Sequence, residues 1–307
     1  MPIIFTIGET IYDIIFKQGQ PVAARPGGSM LNSAVSLGRC GLNVEMITEL
    51  GRDKVGQIVL DFLAENGVST SFIQPVDGFK TSIALAFLDE KGNANYSFYI
   101  KYPESRLNSG WPQTEKGDVV LFGAFYSLDP TIHQEIIRFV KQARQNGAFI
   151  IYDPNIRKNH LGETRKLMGF VEENFTMANI MRGSDEDFDN LFGLTDGKKV
   201  FERIRATGCK YLIYTRSNQG AEFYSDSIQL HIPAANIQVV STIGAGDSFN
   251  AGIIYGMVRN GLTGSDLTLV SQETWKELIG FGVTFASDVC TSYDNYISAD
   301  LVKKGKI

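Results

Sequence analysis

Between residues 118 and 215 the chain alternates short apolar runs with longer stretches of helical periodicity, and no other feature restricts its fold as much. Segments 119–122, 149–152, 179–181 and 211–215 read as strands, and 131–146, 163–173 and 198–207 as the helices between them. Strands separated by a helix run parallel, because the crossover returns the chain to the same end of the sheet. Parallel strands are buried on both faces. The expectation is therefore an α/β three-layer sandwich: a central, mostly parallel sheet with helices on either side.

The first hundred residues only partly follow this rule. Residues 3–7 read as a central strand ending at Gly8, and Gly27-Gly28-Ser29 opens a helix with Met30, Leu31, Ala34, Val35 and Leu37 at helical spacings. Residues 43–50 form a further strand, and 55–66 a helix with Gly67 where a C-cap glycine belongs. Two stretches break the alternation. Residues 10–25 start as a polar-punctuated strand, and 81–102 form a β-hairpin around Asp89-Glu-Lys-Gly-Asn93. They predict a small β-sheet projecting from the edge of the α/β body as a lid. With no linker, repeat or low-complexity tract, the lid reads as an insertion into one domain spanning 1–307.

Composition narrows the partners. A net charge of −5, with no lysine or arginine run, gives no field for nucleic acid or an anionic membrane surface. No long apolar run and no signal-like N-terminus occur, so the expected location is the cytoplasm. The three cysteines, Cys40, Cys209 and Cys290, lie far apart and read as packing thiols, not as a zinc site or disulfide framework.

Chemistry concentrates in Ser241-Thr-Ile-Gly-Ala-Gly-Asp-Ser-Phe-Asn250. A glycine turn entering a helix presents backbone N–H groups at the positive end of the helix dipole, and Asp247 follows at once. Alone, the motif fits either a plain helix N-terminus or a phosphate cradle beside a base. The chain has no GxxxxGK[ST], the glycine spacing fails the dinucleotide fingerprint, and the protein-kinase motifs are absent. A second glycine-opened helix, Pro26-Gly-Gly-Ser-Met-Leu-Asn-Ser-Ala-Val-Ser-Leu-Gly38, carries Asn32 in its first turn. Asn32 reads either as a ligand contact or as a local helix-end hydrogen bond.

These two regions, in this order, resemble the signatures of the ribokinase-like (PfkB) family of carbohydrate kinases. Gly8-Glu-Thr-Ile-Tyr-Asp13 resembles the family's opening strand and Gly51-Arg-Asp-Lys-Val-Gly56 its following turn, while Asp153-Pro-Asn-Ile-Arg157 resembles a segment of fructokinase-type members. It implies an ATP-dependent, magnesium-assisted kinase acting on fructose or a similar monosaccharide. Asp247 would be the general base, and the N–H groups of Gly244, Ala245 and Gly246 the anion hole. Asp13, Gly28, Asn32 and Arg157 would hold the substrate, and Thr215 and Gly220 would border the nucleotide. A homodimer through the lid is also implied. A nucleoside kinase or 2-keto-3-deoxysugar-acid kinase of the same family is the alternative. A non-catalytic sugar or nucleotide sensor on the same fold is a reading of another class.

Three departures from the family pattern carry expectations of their own. Ser241 stands where many members place a cation-binding aspartate, which predicts weak or absent potassium dependence. Ser184 and Asp187 replace the Asn-x-x-Glu that organises magnesium indirectly, and also read as a capping box. On the hairpin, Ile100 occupies the place of an arginine. Lys101 and Arg106 are then either its replacements or solvated surface cations, and Tyr96, Phe98 and Tyr99 either stack on a sugar ring or nucleobase or, the favoured reading, pack beneath the lid.

Overall fold

The structure, a computed structural model, describes residues 1–303 apart from 90–93, 104–105, 109, 157, 159–160 and 263–266. The strands in chain order are β1 (Ile3–Ile7), β2 (Ile11–Lys17), β3 (Gln20–Gly27), β4 (Asn43–Gly51), β5 (Val68–Ser69), β6 (Ile73–Val76), β7 (Ile83–Leu88) and β8 (Ala94–Tyr99). Then follow β9 (Val119–Gly123), β10 (Phe149–Asp153), β11 (Ile180–Ser184), β12 (Tyr211–Thr215), β13 (Ala221–Tyr224) and β14 (Gln229–Ile232). The helices are α1 (Ser29–Arg39), α2 (Lys54–Glu65), α3 (His133–Gln145), α4 (Leu161–Thr164), α5 (Met168–Met177), α6 (Asp185–Phe192), α7 (Gly197–Arg205), α8 (Ala245–Arg259), α9 (Gln272–Cys290) and α10 (Ala299–Lys303).

The large sheet has the order β14-β13-β12-β11-β10-β9-β1-β4-β5, with β6 also paired to β4. From β12 to β5 its pairs are parallel, and β13 and β14 close one edge antiparallel. Alternate residues enter two cores. Ile4, Val119, Leu121, Phe149 and Ile151 face a core with α1, α2, α8 and α9, whereas Phe5, Val120, Phe122, Ile150 and Tyr152 face one with α3, α5, α6 and α7. That is the expected three-layer arrangement. Among the described residues no helix is long and apolar enough to cross a membrane.

The small sheet, order β3-β2-β7-β8, is separate. β2 and β3 join through Gln18 and Gly19, both at positive φ (51° and 77°), as a two-residue turn matching strand twist requires. The extended segment expected at 10–25 is thus a hairpin, with the strand read at 10–16 as its first arm. At the root of the sheet, the Asp53 carboxylate caps α2 through the Gly56 N–H (2.8 Å) and also accepts from the Thr81 N–H (3.0 Å).

Two local expectations are corrected. The helix expected at 163–173 is split into α4, a 3₁₀ turn (Arg165–Leu167) and α5. At the break Arg165 and Lys166 are exposed, while Val171 and Phe175 give α5 an apolar face to bury. On β8 the aromatics are not packed away: Phe98 and Tyr99 are 38% and 64% exposed. Phe98 pairs with Ala84, which pairs with Asp13, so Phe98 and Tyr96 share the Asp13 face of the small sheet. Their rings stack at 5.5 Å.

Candidate active site

The N-termini of α1 and α8, from opposite ends of the chain, meet beyond the carboxyl ends of the parallel strands. This is where an open α/β sheet leaves a crevice. Each helix begins at a left-handed glycine: Gly28 at φ 116° and Gly244 at φ 78°. A Cβ on Gly28 would fall on the Glu9 carbonyl, so only glycine lets α1 start this close to the strand.

Asp247, in the first turn of α8, is buried and held from α1. Its Oδ1 accepts from Ser29 Oγ (2.6 Å) and its Oδ2 from Asn32 Nδ2 (2.8 Å), while Ser33 Oγ donates to its backbone carbonyl (2.8 Å). Two donors on two oxygens fix the carboxylate's plane. A fixed carboxylate in a crevice can take a proton from an alcohol placed against it. Asn32 is thus brought to Asp247 and orients it, so its amide is not spent on a local helix-end bond. Its Oδ1 is buried without a protein partner.

Asp13 stands on β2, opposite Arg25 of β3, and packs so closely on Gly27 that a Cβ there would strike its carboxylate. Burial pushes its pKa up to about 7, against the Asn295 hydrogen bond and Arg25, which lower it, and with nearby Asp247 raising it further. Asn295 Nδ2 donates to Asp13 Oδ2 at 3.2 Å. The sequence around Asn295 carries neither periodicity nor a motif, so nothing local points to its pairing with Asp13.

The Gly244-Ala245-Gly246 turn is partly open to solvent. The first helical bond of the turn runs from the Ser248 N–H to the Gly244 carbonyl (2.8 Å), so the N–H groups before it precede the helical ladder. Of these, the Ala245 N–H points back to the Thr242 carbonyl at 3.3 Å, which weakens its part in a cradle. Ser241 is buried, and its Oγ accepts from the Ile243 N–H (3.2 Å), closing the turn internally.

Beneath this turn lies Arg182, which sequence reasoning also missed. Its signal was a single cation inside an otherwise apolar strand, β11. Nη1 lies 2.7 Å from where a Cβ on Gly246 would stand, and donates to Asp153 Oδ2 at 2.9 Å. Nη2 donates to Thr215 Oγ1 (2.8 Å), and Nε is buried without a protein partner. Asp153 also accepts from Asn250 Nδ2 (2.6 Å); its burial raises the carboxyl's pKa, and Arg182 opposes that. A guanidinium with an unmatched N–H, next to backbone N–H groups at a helix N-terminus, fits a phosphate chain.

Ser184 and Asp187 form the capping box of α6. Asp187 Oδ2 accepts from the Ser184 N–H (2.7 Å) and Oγ (2.6 Å), and Oδ1 from the Ile156 N–H (2.8 Å). Among the described residues no group of three or more histidine, cysteine or acidic side chains gathers to hold a metal. Magnesium accompanying ATP would be held chiefly by phosphate and water, as this ion commonly is. Thr215 bonds to Arg182. Gly220 (φ 90°) lies so close to Ile232 and Ala234 that a Cβ would clash with their backbone, so its glycine is needed for packing. Arg157 lies outside the described residues.

Arg106 is no solvated cation. It is buried, bonded to Glu49 and Asp129, and stacked 3.8 Å over the Tyr102 ring, whose hydroxyl donates to Glu9 (2.9 Å). It anchors the chain leaving β8 to the body.

The family pattern described as pfkB family carbohydrate kinase matches residues 1–300. A fructokinase of Rhizobium leguminosarum bv. trifolii is 28% identical over 268 residues, covering 84% of this chain and 81% of its own. An aminoimidazole riboside kinase of Salmonella typhimurium is 22% identical over 258 residues, covering 83% and 81%. Among solved structures, aminoimidazole riboside kinase from Salmonella enterica, complexed with aminoimidazole riboside and an ATP analog, superposes with a TM-score of 0.85 at 18% identity over 98% of both chains. Fructokinase from Vibrio cholerae O395, in a fructose-, ADP- and calcium-bound form, gives 0.83 at 19% identity, covering 97% of this chain and 96% of its own.

Proposed function

The chain belongs to the pfkB family of carbohydrate kinases, and we propose that it transfers the γ-phosphoryl group of ATP to a hydroxyl of fructose or a similar monosaccharide. The observation that carries this reading is Asp247, held by Ser29 and Asn32 at the mouth of the Gly244–Gly246 turn. In this reading Asp13 and Gly28 bind sugar hydroxyls, Asp247 takes the proton of the attacking one, and the amides of the turn with Arg182 receive the phosphoryl charge. Magnesium would neutralise phosphate charge when bound. The small sheet, an insertion in a single domain, serves as the lid that excludes water.

Nucleoside phosphorylation is the second reading. What favours it is the Tyr96–Phe98 stack on the Asp13 face, a platform on which a base can lie. ATP-to-ADP turnover over a panel of monosaccharides, sugar acids and nucleosides decides between them. Turnover with fructose or another free sugar is expected; turnover only with nucleosides favours the second reading, and binding without turnover across the panel overturns both. Because the Ser241 hydroxyl is engaged with Ile243, replacing a bulky organic cation with potassium is expected to raise the rate by less than about tenfold.

We also place a homodimer at the small sheet, whose face opposite Asp13 leaves Phe87 42% and Tyr99 64% exposed. A solution mass of two chains is expected from light scattering, and a monomer at micromolar concentration would count against it.

A further inference from the structure

The segment between α9 and α10 touches the small sheet, the Asp13 carboxylate and the Gly244 turn within three consecutive residues. From β3, Arg25 Nη1 donates to the Tyr293 carbonyl and to Asp294 Oδ1, both at 2.5 Å. Asn295, fully buried, donates Nδ2 to Asp13. Its backbone carbonyl occupies the space that a Cβ on Gly244 would need, so it rests directly against the first residue of the turn. The downstream end is fixed to the body. Tyr296 packs on Phe62 (5.2 Å between centroids) with the Arg39 guanidinium 4.7 Å over its ring, and the Ser298 N–H donates to Asp288 Oδ2 (2.6 Å).

We propose that Asn295 is a positioning residue that couples the sugar carboxylate Asp13 to the phosphate cradle at Gly244. A sugar that draws Asp13 into place sets the Asn295 backbone, and with it the turn whose N–H groups must meet the γ-phosphoryl. The proposal rests on the reading of Asp13 as a sugar ligand and Asp247 as the base.

The chemistry of the asparagine supports a role beyond packing. Above its pKa Asp13 is ionised and only accepts, so the NH₂ of Asn295 faces it, which leaves Oδ1 buried and without a protein partner. A leucine has the same branched four-atom skeleton and would leave no orphaned acceptor. A residue kept only for its shape would avoid that cost.

The coupling also leaves a mark in pH. The groups facing Asp13 are Arg25 from β3, Asp247 from α8, and Asn295 and Tyr296 from the bridging segment. With its pKa near 7, Asp13 loses its charge as pH falls through neutrality, and a protonated carboxyl is a poorer acceptor for sugar hydroxyls. Efficiency toward sugar should therefore fall on the acid side. Removing the Asn295 donor raises that pKa and moves the acid limb to higher pH.

The test uses the full chain with magnesium-ATP and D-fructose, comparing wild type with Asn295→Leu and Asn295→Ala. In both variants KM for fructose is expected to rise about tenfold and kcat to fall about tenfold, the effect of losing one hydrogen bond to a charged group. KM for ATP should stay within about twofold. Asn295→Leu keeps the branched four-atom skeleton of the side chain, so it is expected to fold with a melting temperature close to wild type while its acid limb still moves upward. If the limb and both sugar constants of the leucine variant stay at wild-type values, Asn295 is a packing residue and the coupling is wrong. Should wild type turn over neither fructose nor any other member of the panel, the kinase reading itself fails and takes this proposal with it.

Discussion

Asp247→Asn is expected to bind sugar about as well as wild type and to lose at least about 10²-fold in kcat, the lower end of what general-base catalysis contributes. The substitution preserves geometry. An asparagine can turn its carbonyl oxygen toward Asn32 Nδ2 and its NH₂ toward Ser29, whose hydroxyl can rotate to accept. What disappears is the ability to take a proton. Calorimetric titration with the sugar and a coupled assay for ADP separate binding from turnover. Turnover close to wild type would remove Asp247 from the chemistry and leave it a capping acid of α8.

Gly244→Ala should be comparably severe for a different reason. The residue sits at φ 78°, where an L-side chain is strained by about 1 kcal/mol, and its Cβ would fall on the Asn295 carbonyl. Neither obstacle can be relieved by a side chain stepping aside, because both are backbone. The start of α8 must shift, taking with it the N–H groups of the turn and the plane of Asp247. Losing one preorganised donor typically costs about 10² to 10³ in kcat, so a fall in that range is expected with a smaller effect on sugar affinity. Gly246→Ala is the internal comparison. Its Cβ would meet the Arg182 guanidinium at 2.7 Å, a side chain and not backbone, yet one held by Asp153 and Thr215, so a smaller but still measurable loss is expected. A Gly244→Ala enzyme within tenfold of wild type would show that the turn tolerates displacement and is no cradle.

The parts of this protein legible in its sequence were those set by local periodicity and by glycine. The strand and helix alternation after Asp118 gives the parallel sheet, because each apolar run is too short to be anything but a buried strand between helices. Gly28 and Gly244 mark the two helix starts because positive φ leaves almost no other residue. Asp247 was legible through its neighbour, as an acid following a glycine turn.

What stayed hidden depends on contacts across long stretches of chain. Ser29, Arg182 and Asn295 matter through partners 218, 29 and 282 residues away, and no local pattern encodes those pairings. Arg106 reads as a surface cation only until Glu49 and Asp129 are brought to either side of it. The turn at Gln18 was missed because glutamine seldom takes positive φ, whereas the twist of the paired strands imposes it. Splitting 163–173 into two helices likewise follows from which turns find an apolar partner.

The meeting of α1 with α8 also bears on how the protein is made. Ser29 and Asn32 leave the ribosome early, and Asp247 emerges more than two hundred residues later, so the carboxylate has no orienting donors until most of the chain has been translated. Nascent chains ending before α8 can bury much of one core, yet they lack the base and the glycine turn altogether. A fold whose defining contacts join distant segments also forms slowly, since loop closure must come before those contacts can reward it. Competence for catalysis therefore waits for α8, and no translation product that ends before it can carry the activity.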